Sequence, residues 1–313
     1  MTNCQISVAV CTFNRAHVVR GALDSLFLQT LRGDRFEIVI VDNGSNDDTR
    51  LVIEEYQGRT VEVRYVWEPR PGIAHARNRA AQEARGEYLA FLDDDAWAEP
   101  DWLSMLVESV CTVKPEPACV VGPVILEWEG GRPGWFPSKF EPLLCSYDMG
   151  PKGHFLGPHG YLLTTNVLMR REVLLGLGGF RTYLGRERGK LLGGEDNEIC
   201  QRILGAGYGV YYAPTARVHH GVPRERQSER YLMRRVFWDG ASQPFLDYGP
   251  KQARRFYALQ AYQDLRRMAR FGCEYFSALA RHDQEQQTDS SLALVQRMGR
   301  LRTNLNLALT GKG

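Results

Sequence analysis

Tyr88-Leu-Ala-Phe-Leu-Asp-Asp-Asp95 is the stretch whose reading decides the fold. The apolar run Tyr88 to Leu92 is short and dense in large side chains, which predicts a buried strand. Three carboxylates then emerge together at its C-terminal edge. Side chains alternate along a strand, so Asp93 and Asp95 can share one face while Asp94 points elsewhere. Hard divalent cations take oxygen ligands, and often bind through one or two carboxylates plus substrate phosphates. The triplet serves equally well as an acidic turn or a helix cap. Its neighbours decide between these readings.

Upstream, strand and helix patterns alternate. Ile6 to Cys11 is a β-branched run, and Val18, Val19, Leu23, Leu26 and Leu28 follow at helical spacing up to Gly33. Phe36 to Val41 predicts a second strand, stopped by the turn cluster Asp42-Asn-Gly-Ser-Asn46. A helix is expected over Thr49 to Tyr56, a strand over Val61 to Trp67, and an alanine-rich helix from Gly72 to Ala84 after Pro69 and Pro71. Alternation of this kind predicts a parallel sheet covered by helices on both faces. Ligands of such sheets bind beyond the carboxyl ends of the strands. Phe13, Asp42, Asp93 and Asp95 all fall at those ends.

Downstream, a helix is expected over Pro100 to Val110 and strands over Ala118 to Pro123 and Leu162 to Met169. Residues 127–160, rich in Gly, Pro and Trp, are expected to form long ordered loops or irregular strands, and loops of that length inside a domain are usually functional. A short helix from Arg171 ends at Gly178-Gly179, Arg181 to Gly194 reads as a polar loop, and Glu195 opens a helix to Leu204. Val210 to Ala213 and Ala216 to His220 are short strands. From Arg224 the pattern is helical to the end, with breaks expected at Gln243 to Pro250 and around Asp283 to Ser290.

Bulk properties narrow the function classes. The 313 residues carry a formal net charge of +2, so nothing global points to nucleic acid. Arginines are nevertheless concentrated after Arg224, a stripe that suits either a solvated helix face or an anionic membrane. No apolar stretch reaches the roughly 18–20 residues needed to span a bilayer, and no signal peptide is evident. The seven cysteines (Cys4, Cys11, Cys111, Cys119, Cys145, Cys200, Cys273) are odd in number, irregularly spaced and without a C-x-x-C. They predict neither a disulfide framework nor a structural zinc site; several read as small core residues. A cytoplasmic location is expected, with peripheral contact at the inner face of a membrane as an option.

Single residues carry two readings each. Phe13 can stack on a planar base or cap the core. Asp42 can accept from a nucleobase N–H, as uracil offers, or cap the following turn. Arg77 can pair with phosphate or lie exposed on its helix. Glu195 and Asp196 can stabilise a helix N-terminus, or one can act as a general base. Strand register places His220, rather than His219, on the face of Ala216 and Val218, so His220 is the better metal-ligand candidate.

In order, Val8-Ala-Val-Cys-Thr-Phe-Asn-Arg15, Ile38-Val-Ile-Val-Asp-Asn-Gly-Ser45, Gly72-Ile-Ala-His-Ala-Arg-Asn78, the aspartate triplet, Gly178-Gly-Phe180, Gly194-Glu-Asp196 and Pro214 to His220 resemble a family 2 glycosyltransferase of the GT-A fold. The resemblance covers about residues 5–222. It implies an α/β, Rossmann-like mixed sheet flanked by helices as a catalytic domain over 1–222, and a helical region over 223–313 for packing, oligomerisation, or contact with membrane or acceptor. It implies inverting transfer of a hexosyl or N-acetylhexosaminyl group from a nucleotide-diphosphate sugar, UDP favoured, to a hydroxyl of a carbohydrate or glycoconjugate. Phe13, Arg15, Asp42, Arg77, Asp93, Asp94 and Asn166 would contact the donor. Asp95, Asp93 and His220 would hold Mn2+ or Mg2+ through this DXD motif, with Asp196 as the base and Glu195 beside it. Cys11 departs from the Pro or Ser often found there. The Gln-x-x-Arg-Trp signature of processive synthases is missing, which suggests single addition.

Two other enzyme classes fit less well. A sugar nucleotidyltransferase would be expected to carry a Gly-rich loop after the first strand, where this chain has Thr-Phe-Asn-Arg15. A dinucleotide oxidoreductase would want G-x-G-x-x-G there. A non-catalytic nucleotide-sugar binder would not need Asp42, Asp93, Asp95, Glu195, Asp196 and His220 together.

Overall fold

The computed structural model describes residues 6–311; Cys4 lies outside them. The chain divides into two compact units. One runs to Thr182 and resumes over Glu195–Pro223; the other comprises Tyr183–Gly194 and the chain from Arg224 onward. The polar stretch before Glu195 therefore belongs with the C-terminal helices.

Among the described residues, the first unit holds an eight-stranded sheet. β1 (Ile6–Thr12) lies between β2 (Phe36–Asp42) and β4 (Tyr88–Asp93), parallel to both, and β3 (Glu62–Trp67) extends the parallel part beyond β2. β6 is Cys119–Val121, β8 His154–Phe155, β9 Asn166–Arg170 and β10 Val210–Tyr212. β9 inserts antiparallel between β4 and β6, β10 runs parallel to β6, and β8 closes the edge antiparallel. The sheet is thus mixed, with order β3-β2-β1-β4-β9-β6-β10-β8.

Every residue of β1 and β2 is buried, as strands covered on both faces must be. Their alternation feeds two cores. Val8, Val10, Ile38 and Ile40 pack with helix α1 (Val19–Phe27) and helix α4 (Trp102–Thr112). Ala9, Cys11, Val39 and Val41 pack with α3 (Ile73–Glu83), α5 (Arg171–Gly176) and α6 (Glu195–Gly205). The remaining helix of this unit is α2 (Thr49–Glu54).

A second sheet of three strands positions the chemistry. β5 (Ala96–Ala98) begins directly after the aspartates, pairs antiparallel with β11 (Val218–Val222), and β11 runs parallel to β7 (Val124–Trp128). The triplet is therefore the seam at which the chain leaves the large sheet for the small one. Residues 127–160 hold the end of β7, a 3-10 helix at Ser138–Leu144 and β8. The expected strand at 162–169 begins only at Asn166.

The second unit contains three long helices, α7 (Glu229–Tyr248), α8 (Arg254–Ala280) and α9 (Gln284–Thr310). The break expected from Gln243 falls later, because α7 runs through Pro244 to Tyr248 and stops at Gly249 (φ +67°). The second expected break is confined to Arg281–Asp283; the Asp283 carboxylate accepts from the Gln286 N–H and starts α9 at once.

Candidate active site

Asp93 is the last residue of β4, and its carboxylate is tied on both sides. Thr165 Oγ1 donates to one oxygen at 2.6 Å and Arg77 Nη2 to the other at 3.4 Å. Asp94 turns back into the sheet, where Thr12 at the end of β1 donates to it at 2.7 Å. Burial, reinforced by the neighbouring Asp95 charge, raises the Asp94 carboxyl to about 7. Asp95 meets Arg15 Nη1 at 3.3 Å and His220 Nε2 at 3.2 Å. Asp94 thus departs from its two neighbours, which both approach His220.

His220 is 2% exposed and sits on the inward side of β11, where cross-strand pairing sets it opposite Ala96 and Leu126. Its Nδ1 is buried without a hydrogen-bond partner. A buried imidazole nitrogen in that state is costly unless something outside the protein satisfies it. One ligand atom each from Asp93, Cys145 and His220 lie within 4.8 Å of one another. Carboxylates suit Mn2+ or Mg2+, imidazole suits transition-metal ions, and the orphaned Nδ1 gives the chain a reason to accept a divalent cation here, so the residues fit the group. His219 faces the other way: it stacks on Trp97 and reaches Glu127 at 2.8 Å and Glu99 at 3.4 Å. Among the two histidines, His220 meets the aspartates.

Arg77 joins this cluster to the opening of α6. Its guanidinium is 7% exposed, donates to Glu195 Oε1 at 2.5 Å as well as to Asp93, and lies over the Phe180 ring. It is not the exposed helix residue that its sequence position also allowed. Glu195 is buried with Oε2 unpartnered. Asp196, only partly exposed, accepts from the Asn197 N–H at 2.9 Å. Burial first, and the adjacent Glu195 second, raise its carboxyl to about 7. A carboxyl near neutrality can take a proton at ordinary pH. Phe180, beneath the Arg77 guanidinium, is held by α3: Asn78 donates to the Phe180 carbonyl at 2.8 Å and accepts from the Phe180 N–H at 2.7 Å.

The remaining candidates divide. Phe13 is 37% exposed beyond β1, open to a planar ligand. Asp42 is 1% exposed, and its oxygens accept from the Ser45 N–H at 2.8 Å and Tyr65 O–H at 2.9 Å. It caps the turn. Asn166, expected beside the donor sugar, turns its side chain inward. It is 1% exposed, accepts from Trp102 Nε1 at 2.8 Å and donates to the carbonyls of Pro123 and Ala216 at 2.8 and 2.7 Å. It is a strut between the two sheets.

Three site residues were missed from sequence. Thr165 and Cys145 come from loops with no periodic signal. Asn43 organises the entry to α3 by accepting from the Gly72 N–H at 2.9 Å and donating to the carbonyls of Glu68 and Arg70. Only Asn43, in its turn cluster, left a trace a reader could have used.

The order of strands, the inserted antiparallel β9 and the aspartate seam define the GT-A class of glycosyltransferases. The solved mannosyltransferase PcManGT of Pyrobaculum calidifontis, whose structure holds GDP-Man and Mn2+, superposes with a TM-score of 0.62 at 20% identity, over 95% of this chain and 87% of that one. The chain belongs to the family 2 glycosyltransferases: the family model described as glycosyl transferase family 2 matches residues 7–176. A glucosyl-dolichyl phosphate glucuronosyltransferase of Haloferax volcanii is 30% identical over 246 residues, 78% of this chain and 77% of that protein. The succinoglycan biosynthesis protein ExoM of Rhizobium meliloti is 31% identical over 238 residues, 75% and 72% of the two chains.

Proposed function

We propose that this glycosyltransferase moves a single sugar, with inversion, from a nucleotide-diphosphate sugar to a hydroxyl of a carbohydrate or glycoconjugate, using Mn2+ or Mg2+ held by Asp93, Asp95 and His220. The observation that carries the reading is Arg77, which ties Asp93 at the cation end to Glu195 at the base end. A cation bound there would neutralise charge developing on the leaving diphosphate. Asp196 takes the proton as the acceptor oxygen attacks the anomeric carbon; the bond from that carbon to the diphosphate breaks, and its electron pair leaves with the phosphate. Arg77 fixes Glu195 beside Asp196 at the opening of the helix, and Arg15 stands ready for the diphosphate beside Asp95. Phe13 offers a stacking surface for the base. UDP is the nucleotide favoured by the family resemblance, and Asp42 reaches a uracil only if Tyr65 yields its hydrogen bond.

The second unit carries a feature that fits an anionic lipid surface. On α8, the exposed residues Tyr262, Leu265 and Phe276 recur at helical spacing, with Arg255, Arg266 and Arg270 exposed along one flank. An apolar stripe bordered by arginine suits an interfacial helix. Among the described residues no helix is long and apolar enough to cross a membrane.

Turnover of a panel of UDP- and GDP-sugars, with Mn2+ and then EDTA, tests the proposal. Release of nucleoside diphosphate that stops with EDTA and with Asp196→Asn is expected. Full activity of Asp196→Asn would remove the base assignment.

A further inference from the structure

Cys145 is the one member of the Asp93–Cys145–His220 group that no motif predicts. Its position is built rather than incidental. It closes the 3-10 helix at Ser138–Leu144 with φ +76°, the left-handed region that a residue with a β-carbon enters at a cost. Its N–H bonds the Pro142 carbonyl at 3.1 Å, and the Ser146 N–H bonds that of Glu141 at 3.2 Å. Two residues on, Tyr147 is buried and exchanges both backbone hydrogen bonds with Val124 at 2.7 and 3.1 Å. Val124 begins β7, the neighbour of the strand that carries His220. The loop is thus pinned against β7, and Cys145 is brought to His220 in a conformation where glycine or asparagine would be easier.

A second observation points to a ligand at this place. His220 is 2% exposed and keeps a buried ring nitrogen with no partner. Tetrahedral ligand atoms on a shared ion lie about 3.5 Å apart at zinc-like bond lengths. The three atoms here lie within 4.8 Å of one another and would draw together to meet one.

We propose that Cys145 supplies a sulfur ligand to the cation held by Asp93 and His220, so that the centre prefers thiophilic divalent metals over Mg2+. This rests on the metal-dependent reading above and adds to it a ligand specific to this chain. Sulfur favours softer ions, while carboxylate and water alone suit Mg2+. On binding, the thiol proton passes to solvent and the thiolate sulfur donates its lone pair to the metal, with no change in oxidation state.

Co2+ added to the full-length protein, without nucleotide sugar, is the probe. Wild type is expected to develop a sulfur-to-cobalt charge-transfer band in the near ultraviolet. Cys145→Ser should lose that band and bind Co2+ roughly tenfold or more weakly, as loss of metal-supporting groups commonly does. Its Mg2+ affinity should change far less. Cys145→Ala, with thermal unfolding of both variants, separates loss of the ligand from loss of the fold. A band that persists in Cys145→Ser comes from another cysteine and overturns the proposal. So does Co2+ binding by wild type that produces no such band but disappears in Asp95→Ala, in which case the metal site stands without its sulfur. Absence of Co2+ binding by wild type overturns both.

Discussion

Arg77 is buried between Asp93 and Glu195, so each carboxylate depends on it for compensation. Breaking such an arrangement from one side leaves uncompensated buried charge. Arg77→Met is expected to cost about 3–5 kcal/mol in denaturant unfolding, and adding Glu195→Gln should recover part of it. A loss below about 1 kcal/mol would mean that the pair is solvated like a surface bridge. Asp196 makes a pH prediction. Its carboxyl is raised from 3.8 to about 7, so the ionised base accumulates as pH rises, and kcat should climb to a plateau above neutrality. Asp196→Asn should erase that limb. The stability sign is opposite: the folded state holds the proton more tightly, so Asp196 supports the fold at low pH and loses that contribution between about pH 4 and 7. The sequence singles out Asp93, Asp95, Glu195, Asp196 and His220 because each sits where an apolar run stops or a helix opens, and the structure brings Asp93 and Asp95 to His220. Asn166 lies at a strand start, and its side chain is engaged inside the protein. Cys145 and Thr165 owe their places to contacts distant in sequence, which no local pattern encodes.

At the scale of elements, the parallel strands of the first half read clearly because burial on both faces makes them continuous apolar runs. β5 was invisible: three residues directly after the aspartates look like part of the turn, and only pairing with β11 makes them a strand. The break expected from Gln243 contains Pro244, yet α7 carries that proline inside it and ends at Tyr248. A β-carbon on Gly240 would lie 1.9 Å from the Gln296 carbonyl oxygen, and one on Gly299 1.9 Å from that of Phe237. α7 and α9 cross at backbone contact through this reciprocal pair. Gly299→Ala must push the helices apart, and overpacking of this kind typically costs about 1–3 kcal/mol. Urea unfolding should show it, even though alanine is the better helix former. Unchanged or increased stability would show that the crossing is slack.

On the scale of the whole molecule, a net charge of +2 hides the concentration of arginine on the C-terminal helices. The α8 stripe predicts co-sedimentation with phosphatidylglycerol vesicles, weakening with added salt and lost in a Leu265→Glu, Phe276→Glu double variant. Equal recovery with neutral vesicles, or a concentration-dependent dimer that the same double variant abolishes, would assign the stripe to another use. The aspartate seam, β11 and the start of α6 belong to the first unit, so its chemistry stands or falls on one cluster. The most direct measurement is an anomalous-scattering map from crystals grown with Mn2+ and a nucleoside diphosphate. A single strong peak bounded by Asp93, Asp95 and His220, with the diphosphate against it, is expected. A peak elsewhere, or nucleotide bound with no metal beside these residues, would contradict it.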